Sequence, residues 1–404
     1  MTLNMERLLA NLKETGLIGK SDRPAGGIDR LAFSEDYYKS AEVFADLLRE
    51  AGLSVTKDRI GNIIGRRAGQ NDSLPAVVLG SHLDTVKDGG LYDGNLGCIA
   101  ALECMFALRE AGMTTQHPIE VIGFSAEEGG PMGGTFGSRA MMGKENAVDE
   151  NSRVAMPGCG ITLEDTLSAR RDPGSFHSFL ELHIEQGSVL EREGFDVGIV
   201  TGIVGITRCL ITIDGASNHA GTTPMSYRRD ALTAAARLIC RMHELAEKYP
   251  DPFVFTIGNV EVFPGVATVI PGQVKLQLEM RDLDQGHIED FLSRTTEAAN
   301  RLEGVAVDIH RQITKLSAAM DPGVMDLIQS ACSAIGVSSK RMASGAGHDA
   351  QMIASAGVPT GMIFLPSREG ISHNPAEYTA PEFIEKGVQV LLGALLRLDE
   401  AVSD

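Results

Sequence analysis

Apolar residues change period along this chain, and the changes mark out its parts. Ala76–Gly80 (AVVLG) and Ile119–Phe124 (IEVIGF) are short apolar runs of strand length. Cys98–Ala111 carries apolar residues at helical spacing, with Arg109 and Glu110 near its end. Strands alternating with helices predict an α/β sheet covered by helices. The same style returns near the C-terminus. There the pattern predicts a helix over Val324–Ile335, a strand over Thr360–Phe364 and a closing helix from about Ala380 to Ala401. The opening MTLNMERLLANLKETG predicts an amphipathic helix and not a signal peptide, because Glu6 and Glu14 interrupt its apolar pattern.

A block of different character lies between these parts. Ile206–Ile213 alternates as a half-buried strand, and Asp230–Lys248 is helical. Phe253–Val262 and Gln273–Arg281 are strand-like, and His287–Leu302 is helical. The β-α-β-β-α-β order is the ferredoxin-like signature. The expected organisation is one α/β domain, 1–205 with 319–404, interrupted by an inserted α+β domain over 206–318. A chain of 404 residues suits two domains.

Composition narrows the function classes. A net charge of −18 excludes the basic footprint that nucleic-acid binding requires. It favours solubility and also fits a protein that gathers carboxylates around cations. With 43% hydrophobic and 22% charged residues, the composition is that of an ordinary globular protein. No run of 18 apolar residues is present, so no membrane-spanning helix is expected. The six cysteines are scattered without a C-x-x-C pair, which predicts reduced thiols. Together these features predict a cytoplasmic protein.

The chemistry gathers where predicted strands end. Gly80-Ser81-His82-Leu83-Asp84-Thr85 follows the first apolar run, and Tyr92-Asp93-Gly94-Asn95 comes soon after. Ligands bind at the C-terminal ends of strands in open α/β sheets. His82 offers a nitrogen to a metal, Asp84 could orient that imidazole, and Asp93 could bridge two cations. Ser125-Ala126-Glu127-Glu128-Gly129-Gly130 follows the next strand. Of two adjacent carboxylates, one can ligate a metal while the other takes a proton from water. Leu180–Gly187 (LELHIEQG) places Glu181, His183 and Glu185 on one face, and Ser372-His373-Asn374-Pro375 adds another histidine. Taken singly, these also suit turn-capping aspartates and a helix N-terminal acidic pair. Taken together, His82, Asp93, Glu128, His183 and His373 make a nitrogen-and-oxygen set suited to Zn²⁺, Mn²⁺, Co²⁺ or Ni²⁺. One bridging carboxylate would hold two such ions ~3.5–4 Å apart. His219 in GASNHAGTTP and His348 in SGAGHDAQ lie in polar, Gly-rich loops, where a structural role is an equal alternative.

These motifs, with GSHLDTV, YDGNLG, SAEEGG, GSRA, LHIEQG, NHAGTTPM, SGAGHDAQ and SHNPAEYT spread over the whole chain, resemble a known family. It is the group of dinuclear zinc hydrolases of the aminoacylase and carboxypeptidase clan. Within it the hydantoinase/carbamoylase amidohydrolases are the nearest, and the histidine in LHIEQG singles them out. The resemblance implies a dinuclear-metal exopeptidase-like catalytic domain with an inserted ferredoxin-like lid and dimerisation domain, forming a homodimer. It implies one metal site from His82, Asp93 and His183, and another from Asp93, Glu128 and His373. Glu127 then resembles the general base and Asp84 the orienter of His82. His219 resembles the residue that polarises the scissile carbonyl, and Arg281 the clamp on a substrate carboxylate. Gln186, Thr268 and His348 fall where residues near the substrate are found.

The implied activity is hydrolysis of a linear amide or ureido C–N bond in an N-carbamoyl-L-amino acid or allantoate-type ureido acid. The same machinery would serve an N-acyl-amino-acid amidase or dipeptidase, and ammonia release from N-carbamoyl against N-acetyl substrates separates the two. A non-catalytic scaffold would lack a base or a ligand, and none is missing here. Two departures bear on the substrate. Thr268 opens TVIPG where carbamoylases have Asn-x-Ile-Pro-Gly, and Gly130-Pro131-Met132 replaces an Arg-Phe pair.

Overall fold

The computed structural model describes residues 1–23 and 26–400. Two compact units emerge, one formed by Met1–Gly202 with the chain from Ala319 onward, the other by Ile203–Ala318. The expected start of the insertion at 206 falls just inside the second unit, whose first strand begins at Gly205. No helix among the described residues is long and apolar enough to cross a membrane.

The first unit is built on a nine-stranded mixed sheet. At its middle are four parallel strands: β1 (Ala76–His82), β2 (Ile119–Phe124), β3 (Phe176–Ile184) and β4 (Thr360–Leu365). Their order is β2-β1-β3-β4, with Leu79 beside Leu180, His82 beside Phe124 and Phe364 beside His183. β1 and β2 are buried at every position, as parallel strands covered on both faces must be. From β1 the chain moves to β2 on one side and later to β3 on the other. The crevice between β1 and β3 is therefore the topological switch point where α/β sheets bind ligands.

Helix Asn95–Glu110 packs against this sheet and is buried from Asn95 to Leu108, so its apolar residues run all round. Gly97 is what permits the contact. A Cβ there would lie 2.3 Å from the Leu182 carbonyl oxygen and 2.7 Å from Ser81 Cβ. The closing helix runs Pro381–Glu400, while its expected last residue, Ala401, lies outside the described residues. Strands Ser54–Lys57 and Ile63–Arg67 add an antiparallel edge that the apolar runs do not announce. β3 also differs from expectation. It starts earlier, at Phe176, and stops at Ile184, because Gln186 takes a left-handed φ of 57° and turns the chain out of the sheet.

The second unit is a four-stranded antiparallel sheet in the order Ala306–Lys315, Gly205–Asp214, Gln273–Asp282, Val254–Phe263. That is the ferredoxin-like arrangement. Cys209, Ile211 and Ile213 alternate inward with Val274, Leu276, Leu278 and Met280. They pack on Leu238, Met242, Ile288 and Phe291 from helices Ala231–Ala246 and Gln285–Asn300.

Replacing a helical glycine with alanine ordinarily stabilises by about 0.5–1 kcal/mol. At Gly97 the new methyl meets backbone, so Gly97→Ala is expected to destabilise by about 1–3 kcal/mol. A lowered urea midpoint checks this, and a raised midpoint would contradict the packing described.

Candidate metal centre

The expected ligands come from the C-terminal ends of the parallel strands and the loops that follow them. His82 ends β1, His183 lies near the end of β3, Glu127 and Glu128 follow β2, and His373 follows β4. Asp93 sits in the turn before helix Asn95–Glu110. The structure brings these residues together. His183 Nε2 is 3.1 Å and His82 Nε2 3.5 Å from Asp93 Oδ1, and the two nitrogens are 3.5 Å apart. His373 Nε2 lies 3.4 Å from Asp93 Oδ2 and 3.2 Å from Glu128 Oε2. Asp93 thus turns one oxygen to each histidine set, so His82, Asp93, His183 and Asp93, Glu128, His373 form two donor groups.

The tautomers favour cations. His82 Nδ1 donates to the Asp84 carbonyl at 3.0 Å and His183 Nδ1 to the Ile184 carbonyl at 2.9 Å. Both acceptors are carbonyl oxygens, so each Nδ1 carries a proton and Nε2 is the atom each ring turns to Asp93. Asp93 Oδ1 and Glu128 Oε1 are buried without any hydrogen-bond partner. An unsatisfied buried carboxylate oxygen is costly. Two of them in one cluster with three imidazoles fit a pair of divalent ions.

Electrostatics say the same. Burial works against charge on His82, yet the charges of Glu127, Asp93, Asp84 and Glu128 raise its pKa well above the ordinary value. Hydrogen bonds to Asp93 and Glu128 push His373 up to about 10. Burial would raise Asp93, but the facing imidazoles of His183, His373 and His82 hold it well below the usual carboxylate range. The cluster therefore keeps protons in places that cations would take over. Burial also raises Glu127 well above its usual range, against the opposing charge of His82, with Glu128, Asp349 and Asp84 adding to the rise. Glu127 Oε2 lies 3.8 Å from His82 Nε2, at the margin of the cluster.

Asp84 differs from expectation. Its carboxylate is 3.9 Å from His82 Nδ1, which bonds the Asp84 backbone carbonyl instead. The two carboxylate oxygens accept the N–H groups of Glu127 (3.0 Å) and Glu128 (3.1 Å). Asp84 therefore fixes the acidic pair more directly than the imidazole. Ala126, just before that pair, has a left-handed φ of 54°, a strained state for alanine that these bonds help to hold.

Gln186 lies at the cluster, with Nε2 2.8 Å from Asp93 Oδ2. His348 is not on an open loop. It is buried, its ring packs edge-on against His183 at 4.5 Å, and Nε2 meets Ser344 Oγ at 3.0 Å. It backs the ligand His183 and does not reach solvent. Glu181, also beside His183 and His348, has both oxygens committed, to Ser81 Oγ and the Ala350 N–H.

His219, Thr268 and Arg281 belong to the second unit. Nδ1 of the exposed His219 accepts N–H bonds from Gly221 and Thr222, so the neutral ring carries its proton on Nε2 as a donor. Ala220 N–H bonds the Thr268 carbonyl at 2.9 Å, which sets Thr268 beside His219. Arg281 bonds Glu279 at 2.7–2.8 Å, and Glu279 also holds Arg208.

One supporting residue carries no signal in the local pattern. Glu377, buried, accepts N–H bonds from Tyr92 (2.8 Å) and Asp93 (3.0 Å) and the Ser372 hydroxyl (3.1 Å). It joins the Asp93 turn to the His373 loop, and only its place in SHNPAEYT hints at a role.

Residues 78–397 match the description "Peptidase family M20/M25/M40". An N-carbamoyl-L-amino acid amidohydrolase of Geobacillus stearothermophilus is 39% identical over 408 residues, covering 97% of this chain and 98% of that one. An allantoate amidohydrolase of Escherichia coli strain K12 is 37% identical, covering 93% and 94%. The solved structure of a hydantoinase/carbamoylase-family amidase from Burkholderia multivorans superposes with a TM-score of 0.88 at 31% identity, covering 98% of each chain.

Asp84→Asn leaves one acceptor oxygen for two amides and turns an N–H group toward the other. Activity is expected to fall roughly 10–100-fold with the fold retained. Wild-type kcat/KM in that variant would show the two amide bonds to be dispensable.

Proposed function

The chain belongs to peptidase family M20/M25/M40, and on that premise we propose that it hydrolyses a linear ureido C–N bond in a small carboxylate-bearing substrate at a dinuclear metal site. It is a hydrolase of the amidohydrolase kind, as its relatives are. The substrate we assign is an N-carbamoyl-L-amino acid or an allantoate-type ureido acid. The observation that carries this reading is the convergence of three imidazoles on Asp93, with Glu128 beside the third of them, His373.

His82, Asp93 and His183 would hold one cation, and Asp93, Glu128 and His373 the other, with zinc favoured by the donor set and Mn²⁺, Co²⁺ or Ni²⁺ compatible. Bound there, the pair supplies Lewis acidity to the scissile carbonyl and to water. Glu127, which the donor groups leave uncommitted, takes a proton from the attacking water and returns it to the leaving nitrogen. His219, protonated on Nε2, donates to the developing oxyanion. Arg281 pairs with the substrate carboxylate, its planar fork suiting two carboxylate oxygens. An N-carbamoyl amino acid would yield the amino acid, ammonia and carbon dioxide. We further propose a homodimer through the second unit, whose outer strand Val254–Phe263 has a single neighbour and exposes Val254, Val260 and Phe263. Light scattering that returns a single chain would overturn that part.

Two divalent ions per chain are expected by elemental analysis, with activity lost on chelation and restored by Zn²⁺, Mn²⁺, Co²⁺ or Ni²⁺. Glu127→Gln should keep both ions and lower kcat by about 10²–10⁴. Glu128→Gln should lose occupancy of one site. An active metal-free protein, or equal metal content in the two variants, would break the assignment.

Arg281→Ala is expected to cost about 2–5 kcal/mol in kcat/KM for carboxylate substrates. The wild type should handle amidated analogues poorly, and the variant should discriminate far less. If the preference for free carboxylates survives in the variant, another residue holds the carboxylate.

A further inference from the structure

We infer that Arg30 is a positioning residue for the metal centre, and that Arg30 and Thr15 make the N-terminal helix Met5–Gly16 part of its support. The inference rests on the dinuclear reading above. Arg30 is among the largest fully buried side chains. Its Nε donates to the Leu83 carbonyl at 2.6 Å, and Nη1 donates to the carbonyls of Gly16 (2.9 Å) and Ile18 (3.0 Å). Its backbone N–H bonds Thr85 Oγ1 at 3.0 Å, and the Thr85 N–H returns to the Arg30 carbonyl at 2.9 Å.

Leu83 stands between His82 and Asp84. The guanidinium is thus fastened to the carbonyl that separates a ligand from the carboxylate holding Glu127 and Glu128. Among the described residues no carboxylate lies within ion-pair distance of Arg30, and Nη2 has no hydrogen-bond partner. Burying a cation without a counter-ion is expensive, and an apolar side chain of similar volume would fill the space without that cost. What the apolar side chain could not do is gather carbonyls from two separate segments, which a guanidinium fork does.

Thr15 makes a second tie from the same end of the helix. Its hydroxyl lies 2.8 Å from Asn95 Oδ1, and Asn95 Nδ2 donates to the Leu12 carbonyl at 3.1 Å. Asn95 directly follows the Asp93-Gly94 turn. The last turn of the N-terminal helix is therefore bonded to both arms of the centre, residues 82–85 and 93–95. Arg30 and Thr15 both precede residues 78–397, the stretch matched by the family description.

The test is release of metal into excess chelator from the full-length, metal-loaded protein, in the wild type and three variants. Arg30→Met should release metal about 10-fold faster, with kcat lowered by a similar factor. Its KM should stay within about 3-fold, since no substrate contact is removed. Thr15→Val, nearly isosteric, should accelerate release about 3-fold, a smaller effect than that of a direct ligand partner. Leu8→Ala, a cavity in the same helix at a buried position with no tie to the site, should lower the melting temperature but leave release at the wild-type rate. Should Arg30→Met fail to fold, Thr15→Val decides, and unchanged release there overturns the inference. Equal acceleration in Leu8→Ala also overturns it, because helix stability alone would then suffice. A wild type that takes up no divalent metal would overturn the reading of the site as well. Normal uptake with unaltered release in the variants would overturn only the positioning role.

Discussion

Asp93 is 2% exposed, and its oxygens lie within 3.5 Å of nitrogens from three histidines on three different segments. Such a carboxylate must be fixed by further groups, because the three imidazoles it faces also titrate. The amides of Tyr92 and Asp93 are held by Glu377, and Oδ2 is held by Gln186 and Ser372. Only Oδ1 is left without a hydrogen-bond donor. The turn can come this close because residue 94 is glycine, at φ 63°. A Cβ there would lie 2.4 Å from the His82 ring. Moving any of these partners moves the carboxylate shared by both donor groups.

The backbone around the centre carries strain of the same origin. Ala126, Gln186 and His373 adopt left-handed φ values of 54°, 57° and 53°. Ala126 and Gln186 sit two residues beyond parallel strands and His373 in the longer loop after β4, where the sheet no longer supplies hydrogen bonds and the chain turns to face Asp93. Non-glycine residues in this region cost of order 1 kcal/mol or more and persist when their surroundings over-determine them. Here those surroundings are visible. The Ala126 carbonyl accepts the Phe136 N–H, the Gln186 N–H reaches Ser367 Oγ, and Asp84 holds the two amides after Ala126.

The residues that cluster on Asp93 were legible because strand ends and polar motifs coincide in the sequence. A histidine after AVVLG or inside LELHI breaks an apolar pattern, and such a break is visible without a fold. The ferredoxin-like order of the second unit was legible for a related reason, since its two inner strands alternate strictly and a period of two is a local property. What stayed hidden were partners distant in sequence. Nothing near Asp84 says that its carboxylate faces the amides of residues 127 and 128 and not the ring of residue 82. The polar, Gly-rich setting of His348 suggests an open loop, yet the buried side chain stacks behind His183, 165 residues earlier. Strand Ser54–Lys57 has mostly exposed positions and so offers little apolar alternation to read.

That split between legible ligands and hidden supports has a physical reason. A ligand must present a particular donor atom, so its residue type is fixed and its motif stands out. A support needs only to satisfy a backbone group at a given point, and several residue types on any neighbouring segment can do so. The carbonyl of Leu83 is met by an arginine from residue 30, and the amides of residues 92 and 93 by a glutamate from residue 377. Neither support touches the donor atoms. Residues that read the substrate can vary under the same logic. Thr268 and Gly130-Pro131-Met132 depart from the carbamoylase pattern, while every proposed ligand, the proposed base and the carboxylate that holds it remain in place. None of those variable positions supplies a donor atom or a bond that fixes one, so a change of substrate need not disturb the donor geometry.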